Sequence, residues 1–357
     1  MEVKFDDILS IYEKEIRVTS KNKRKVFLFE KNKIQNINRI VKELREGTYT
    51  PSKYNVFIVF EPKCRIVMSL NIRDKIVNHY MARYVLLPKL SKYLDIRNVA
   101  TRKNMGVGYA NRLIKYYLND MKRSNDIFYI LKLDIKKYFY NIDHNILLNK
   151  LKDRLSREEY NIINKIISST NSSYINMEID NIKASYKGSK DLSNIPYYLN
   201  DKGLSLGAMV SQFLSIYYLN EMDHFIVHNL HIKRYIRYMD DLVLFHHDKE
   251  ELKRIKDVLI DKFKSEYRLE VNNKTKIYRS DEYFVFLGKR YRVVNNKTIK
   301  KYRSNTYYIA NKRIKKVNKL YRSGVISFAG IYSAYSNYRG MNNYKIVQAI
   351  DKNIGSS

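Results

Sequence analysis

The chain has 357 residues, and its Lys and Arg number 68 against 36 acidic residues, a formal net charge of +32. A hydrophobic content of 45% marks a folded chain rather than a disordered one, long enough for two or three subdomains. The single cysteine, Cys64, excludes an intrachain disulfide and any cysteine-based zinc site. No apolar run reaches membrane-spanning length, and the opening "MEVKFDDILSIYEKEI" carries acids where a signal peptide is apolar. A cytosolic protein without a membrane partner is therefore expected. The basic excess calls for a polyanion on the surface, most commonly nucleic acid. An A/T-rich coding sequence is a second source of the Lys, Asn, Ile and Tyr.

In chain order, Ile34, Ile37, Val41 and Leu44 fall on one helical face, which Gly47 and Pro51 end. "YNVFIVFEPKCRIVMSL" gives two β-rich runs joined by a turn at Glu61-Pro62-Lys63. Asn71 can cap the helix "IRDKIVNHYMARYVLL", which Pro88 is expected to stop. A further helix is expected around residues 108 to 121, and "FYILKLDIKKYFYNI" reads as a buried strand running into a helical turn. Residues 145 to 168 read as helical and 170 to 200 as loop or weak strand. "LSLGAMVSQFLSIYYLNEMDHFIVHNL" is a long helix after a glycine-bearing turn, followed by the hairpin "IRYMDDLVLF" and a helix over 249–266. A strand pair is expected near "KIYRSDEYFVFLGKRYRVV", and the last 60 residues read as basic helix. This order suits an α+β sheet with helices on one face.

Two adjacent carboxylates, Asp240 and Asp241, stand between apolar runs, and Asp134 ends another apolar strand. Each alone fits a solvated turn or a helix cap. Together, three carboxylates at the ends of two strands suit two Mg²⁺ ions, hard cations that prefer oxygen ligands and phosphate partners. Two such ions serve an in-line phosphoryl displacement.

"RYMDDLVLF" resembles the Y-x-D-D motif of reverse transcriptases, and five further stretches resemble that family's motifs in the family's order. "EPKCRIVMSLNIRDKIVNHYM" is similar to the fingertip hairpin and helix, "LKLDIKKYFYNID" to the first palm motif, and "GLSLGAMVSQFLSIYYLN" to the second. "LEVNNKTKIY" resembles the lysine-bearing motif and "FVFLGKRY" the Phe-Leu-Gly primer grip. The resemblance spans roughly residues 50 to 295. It implies a right-hand α+β polymerase fold. A helical extension over 1–48 would precede interleaved fingers and palm over 49–298, with a basic helical thumb over 299–357.

The resemblance also implies roles. Asp134, Asp240 and Asp241 would hold two Mg²⁺ ions (Mn²⁺ as a substitute), with Asp134 and Asp240 as the main bridging ligands and the Ile135 carbonyl as a further donor. Phe139 would be the steric gate against a ribose 2′-OH, though a core aromatic looks the same. Lys63 and Arg65 would reach the triphosphate, Gly207 would let backbone approach the nucleotide, and Gln212, Tyr238 and Met239 would line its site. Lys274 would neutralise the leaving pyrophosphate. Phe286, Leu287 and Gly288 would hold the primer end, and Lys312, Lys315, Lys316 and Lys319 would lie along the template–primer phosphates. As isolated residues, these lysines read equally as solvated charges.

The implied activity is RNA-directed DNA synthesis, with an RNA template, a DNA primer or RNA–DNA hybrid, and dNTPs as partners. Leu206-Gly207 and Ser211-Gln212 depart from the Pro-Gln-Gly and Ser-Pro of group II intron enzymes. They are more similar to diversity-generating-retroelement and phage-defence reverse transcriptases of bacteria, which implies a cytoplasmic bacterial enzyme working with a dedicated structured RNA or an accessory protein. Protein-primed or untemplated DNA synthesis is one alternative, and a non-catalytic RNA-binding scaffold is another. His224, His228 and His231 mimic metal-ligand spacing on one helix face, but the surrounding residues do not support a zinc site.

Overall fold

The computed structural model describes residues 1–331 except 21, 61–63, 125–126, 189–190 and 303. Two compact units divide between Arg279 and Ser280. Among the described residues, nine strands form three antiparallel sheets. β1 (Asn55–Val59) pairs with β2 (Arg65–Ser69). In the first unit a four-stranded sheet runs β4-β5-β3-β6, from β3 (Tyr129–Asp134), β4 (Tyr235–Tyr238), β5 (Asp241–His246) and β6 (Lys276–Arg279).

The centre of that sheet follows from its apolar runs. Leu131, Leu133, Leu242 and Leu244 share a core with Leu252, Ile255, Leu259 and Phe263 of the helix Lys249–Tyr267. The alternate residues Ile130, Val243 and Phe245 are also buried, and Phe245 meets Tyr117 of the helix Val107–Ser124 at 5.8 Å between ring centroids. Helices therefore cover both faces, not one, which is why β3 and β5 are continuously apolar. Each such side chain stabilises the fold by about 1.5–3 kcal/mol relative to exposure.

The helices around the sheet begin where side chains satisfy their first N–H groups. Asn71 accepts from Asp74, Asp143 from Ile146 and Asp248 from Glu250, and Ser156 forms a capping box with Glu159. The expected long helix after Gly207 runs as Met209–Tyr218, then Asn220–His224, then a π-helical turn over Phe225–Asn229. Residues 1–48 are not a separate body: Ile8, Tyr12, Ile37, Ile40, Val41 and Leu44 belong to the main core.

Five local expectations need correction. Ile34 is 53% exposed, and Ile40 takes its place on the buried face. Pro88 does not stop its helix. A π-helical stretch, Met81–Leu86, leads into Leu87–Leu90, where proline sits in the first turn and has no intrahelical N–H to lose. The stretch expected to be one helix to residue 168 is two, His144–Lys152 and Arg157–Ser168. Residues 170 to 200 contain the helix Ser173–Ser185, whose Ile175 and Ile179 form a second core with Tyr54, Ile66 and Met68 of the β1–β2 segment. Finally, the tail expected to be helix begins in strand, whereas the expected strand pair is present as Phe284–Phe286 against Lys289–Val294.

The second unit contains β7 (Phe284–Phe286), β8 (Lys289–Val294) and β9 (Lys297–Tyr302), paired in that order. The boundary expected at 298/299 therefore falls inside β9, and helix starts only at Ser304. Along Ser304–Arg322, Ala310 and Ile314 are buried, with Val317 and Tyr321 against them. No helix of the described residues is long and apolar enough to cross a membrane.

Candidate active site

Strand register assembles the aspartates. Asp134, the last residue of β3, pairs directly with Asp241, the first of β5. Tyr238 pairs with the same Asp241, so β4 and β5 are joined by a two-residue turn, Met239-Asp240. The Asp240 carbonyl accepts from the Ile135 N–H at 3.3 Å, which ties that turn to the chain leaving β3. Ile135 also bridges Val271 on its other side.

The electrostatics report the same convergence. Burial pushes the Asp240 carboxyl up to about 6, and the charges of Asp241 and Asp134 push in the same direction. Its own backbone hydrogen bond and the positive charge of Arg65 pull the other way. Arg65, the exposed first residue of β2, thus acts on the same electrostatic neighbourhood as the three carboxylates. Among the described residues no group of three His, Cys, Asp or Glu side chains is gathered closely enough to hold a metal ion. Two contacts occupy carboxylate oxygens of this cluster. The Lys132 ammonium stands 3.3 Å from Asp241 Oδ1, and the Asn272 amide donates to Asp134 Oδ2 at 3.0 Å. Oxygen-only donors crowded against their own repulsion suit a hard divalent cation.

Neither Lys132 nor Asn272 is evident as a site residue from pattern alone. Asn272 also donates its backbone N–H to the Asp134 carbonyl at 2.7 Å, so it holds both ends of that residue. Its signal was a short polar residue in "VNNKT", two places before the lysine that draws attention.

Around the carboxylates, Phe139 lies in the helical turn Tyr138–Asn141, which follows a left-handed Lys137. Tyr138 is buried and donates to the Ser215 carbonyl at 2.5 Å, whereas Phe139 stays half-buried. The Phe139 carbonyl accepts from Leu204 N–H at 2.7 Å, joining this turn to the glycine loop. Gly207 has φ +107°, a backbone region that disfavours side chains, and the neighbouring Leu206 carbonyl accepts from Met68 of β2. Gln212 sits partly buried in the first turn of Met209–Tyr218. Met239 has φ +57°, and its sulfur accepts from Ser215 Oγ at 3.5 Å.

Lys63 lies outside the described residues. Lys274 is exposed, and its N–H bonds Asn272 Oδ1, which places it one turn from the residue holding Asp134. In the second unit, Leu287-Gly288 forms the β7–β8 turn beside a buried Phe286, and Lys312, Lys315, Lys316 and Lys319 are exposed on one helix. His224 donates to the Tyr93 carbonyl at 2.7 Å and stacks on His228, a packing role.

A family model described as reverse transcriptase (RNA-dependent DNA polymerase) matches residues 53–291. Among solved structures, the chain is similar to an apo telomerase of Candida tropicalis truncated from its C-terminal domain. That likeness has a TM-score of 0.50 and 13% identity, over 70% of this chain and 55% of that one. A telomerase of Candida albicans, solved with a TWJ fragment of telomeric RNA, gives a TM-score of 0.53 and 14% identity, over 87% of this chain and 56% of that one. The chain thus spans just over half the length of these telomerases, and at such identities the likeness shows the fold: an α+β right-hand polymerase fold. No curated protein sequence gives a significant match.

Proposed function

The chain belongs to the reverse transcriptase family, RNA-directed DNA polymerases and hence nucleotidyltransferases, and from that premise we propose that it adds deoxynucleotides to a primer 3′-OH on an RNA template. The observation that carries this reading is the crowding of Asp134 and Asp241 around Asp240, with Arg65 set against them. Asp134 and Asp240 are the main metal ligands, joined by Asp241 and the Ile135 carbonyl. Two Mg²⁺ ions, replaceable by Mn²⁺, supply charge stabilisation for the attacking and leaving oxygens.

The chain's own residues do the rest. Arg65 and Lys63 grip the triphosphate, a task for which guanidinium geometry suits phosphate oxygens. Phe139 fills the space of a 2′-OH, and Gly207 lets backbone approach the nucleotide, which Gln212, Tyr238 and Met239 border. Lys274 neutralises pyrophosphate as it leaves. Phe286, Leu287 and Gly288 hold the primer end, and Lys312, Lys315, Lys316 and Lys319 run along backbone phosphates, independent of sequence. Residues from 49 to the end of the first unit act as fingers and palm, and the basic helix Ser304–Arg322 as thumb. The Leu206-Gly207 and Ser211-Gln212 pattern favours a bacterial cytoplasmic enzyme of the diversity-generating or phage-defence type, served by a structured RNA or accessory protein.

The test is incorporation of labelled dTTP on oligo-dT/poly-rA with Mg²⁺, wild type beside Asp240→Asn. Wild type extends the primer and the variant falls by about 10³-fold, the loss of several kcal/mol of transition-state stabilisation. Equal incorporation by both would reject the site. Label attached to the protein itself, without primer extension, would replace this reading with protein-primed synthesis.

A further inference from the structure

Arg237 and Asp223 form an ion pair in which both side chains are 0% exposed. Asp223 comes from the helix Asn220–His224 and Arg237 from β4, two residues before the strained turn. The pairing is bidentate: Arg237 Nε donates to Asp223 Oδ1 at 2.7 Å and Nη2 to Oδ2 at 2.5 Å. Tyr235 donates its hydroxyl to the same Oδ1 at 2.6 Å. Two guanidinium donors then reach past the pair, Nη2 to the Ile216 carbonyl at 2.8 Å and Nη1 to the Met239 carbonyl at 3.2 Å. The backbone is fixed as well, by Arg237 N–H to Arg97 and Val99 N–H to Arg237, each at 3.0 Å.

The Met239 carbonyl belongs to the peptide joining Met239 to Asp240. Its direction fixes the plane from which Asp240 departs. Met239 is left-handed at φ +57°, a conformation that persists only where surroundings hold it. A buried ion pair is a poor route to stability, because well-packed apolar residues of similar volume often serve as well or better. A guanidinium aimed at one turn carbonyl does something such residues cannot. We propose that Arg237, locked by Asp223 and Tyr235, is a positioning residue that sets the Met239–Asp240 peptide and so presents Asp240 and Asp241 for metal binding.

This inference rests on the metal-binding reading of those aspartates, so the test carries Asp240→Asn as a control. Two variants separate position from stability. Arg237→Lys keeps the charge beside Asp223 but lacks the second arm toward Met239. The triple variant Tyr235→Phe, Asp223→Leu, Arg237→Met replaces the whole cluster by apolar volume. Each full-length protein is examined for thermal unfolding, for Mn²⁺ affinity by the paramagnetic resonance of free ion, and for dTTP kinetics on oligo-dT/poly-rA.

Both variants should unfold within a few degrees of wild type. Their Mn²⁺ affinity should fall about 10-fold, as expected when the support of a metal ligand is lost. The kcat should fall about 10- to 100-fold with KM for dTTP nearly unchanged, the signature of a misplaced reacting group. A folded variant with wild-type Mn²⁺ affinity and kcat overturns the proposal, provided Asp240→Asn loses both. If Asp240→Asn keeps wild-type Mn²⁺ affinity, the metal reading fails first and the proposal with it. Unfolding of both variants would make the cluster a stability element and overturn the positioning role.

Discussion

Two of the two-residue hairpin turns among the described residues reach left-handed backbone by different means. In the β7–β8 turn, Leu287 and Gly288 have φ of +45° and +78°. Two successive positive angles match the twist of the flanking strands, and glycine at the second position supplies one of them without strain. The β4–β5 turn offers Met239-Asp240, with Met239 at φ +57° and no glycine. Its geometry is imposed from outside, by the Arg237 guanidinium on one side and the Ile135 N–H on the other. The first hairpin is written locally; the second depends on residues elsewhere in the fold. The turn that lacks local support is also the one carrying two acids, where the exact direction of a side chain matters most.

The sharpest way to break this contrast is Arg237→Ala. It leaves the Asp223 charge unpaired at zero exposure, and urea unfolding should show a loss of about 3–5 kcal/mol. A loss under about 1 kcal/mol would mean that the β4–β5 turn is self-supporting after all.

Next comes pH. Asp240 holds its proton more tightly in the fold, with its carboxyl raised to about 6 from an ordinary 3.8. The associated stability is fully present below about pH 4 and is lost as pH rises through about 6, a span of at most about 3 kcal/mol. In EDTA, the wild-type thermal midpoint should therefore fall over that interval relative to Asp240→Asn. Parallel profiles would remove Asp240 as the source.

The mildest break is Gly288→Ala. A Cβ there meets nothing within 4 Å, so only backbone strain remains, about 1–2 kcal/mol. A neutral substitution would show that the β7–β8 turn also leans on its surroundings.

The same division between local and tertiary encoding explains what was readable beforehand. The strands β3 and β5 announce themselves as apolar runs because the sheet is covered on both faces, and the aspartates are visible as charges ending those runs. Asn71 caps its helix as expected, and Asp143 and Asp248 cap theirs in the same way. The helix Ser173–Ser185 was hidden by a thin stripe, since only Ile175 and Ile179 of its residues are buried. Ile34 misled because a residue at the right helical spacing need not face the core at a helix's first turn. The Arg237–Asp223 pair left a signal that pattern reading discounts, opposite charges set among the bulky residues of "YIRY" and "LNEMDHFIV". Lys132 left none and Asn272 only a short polar residue in "VNNKT", because their partners lie on other strands or turns.

The order β4-β5-β3-β6 has a consequence for how the chain folds as it emerges from the ribosome. β3 sits in the interior of the sheet, yet both strands that flank it are made much later: Leu131 faces Leu244 on one side and Ile277 on the other. Asn272, which steadies Asp134, is 138 residues downstream. Until synthesis passes His246 the segment "YILKLD" has no strand to pair with, and until it passes Arg279 one of its two edges stays open. Closure of such distant pairings is slow, and unpaired apolar strands invite aggregation in the interval. The four-stranded sheet is thus completed only when β6 has been made, and a nascent chain stalled before it would be a client for chaperones.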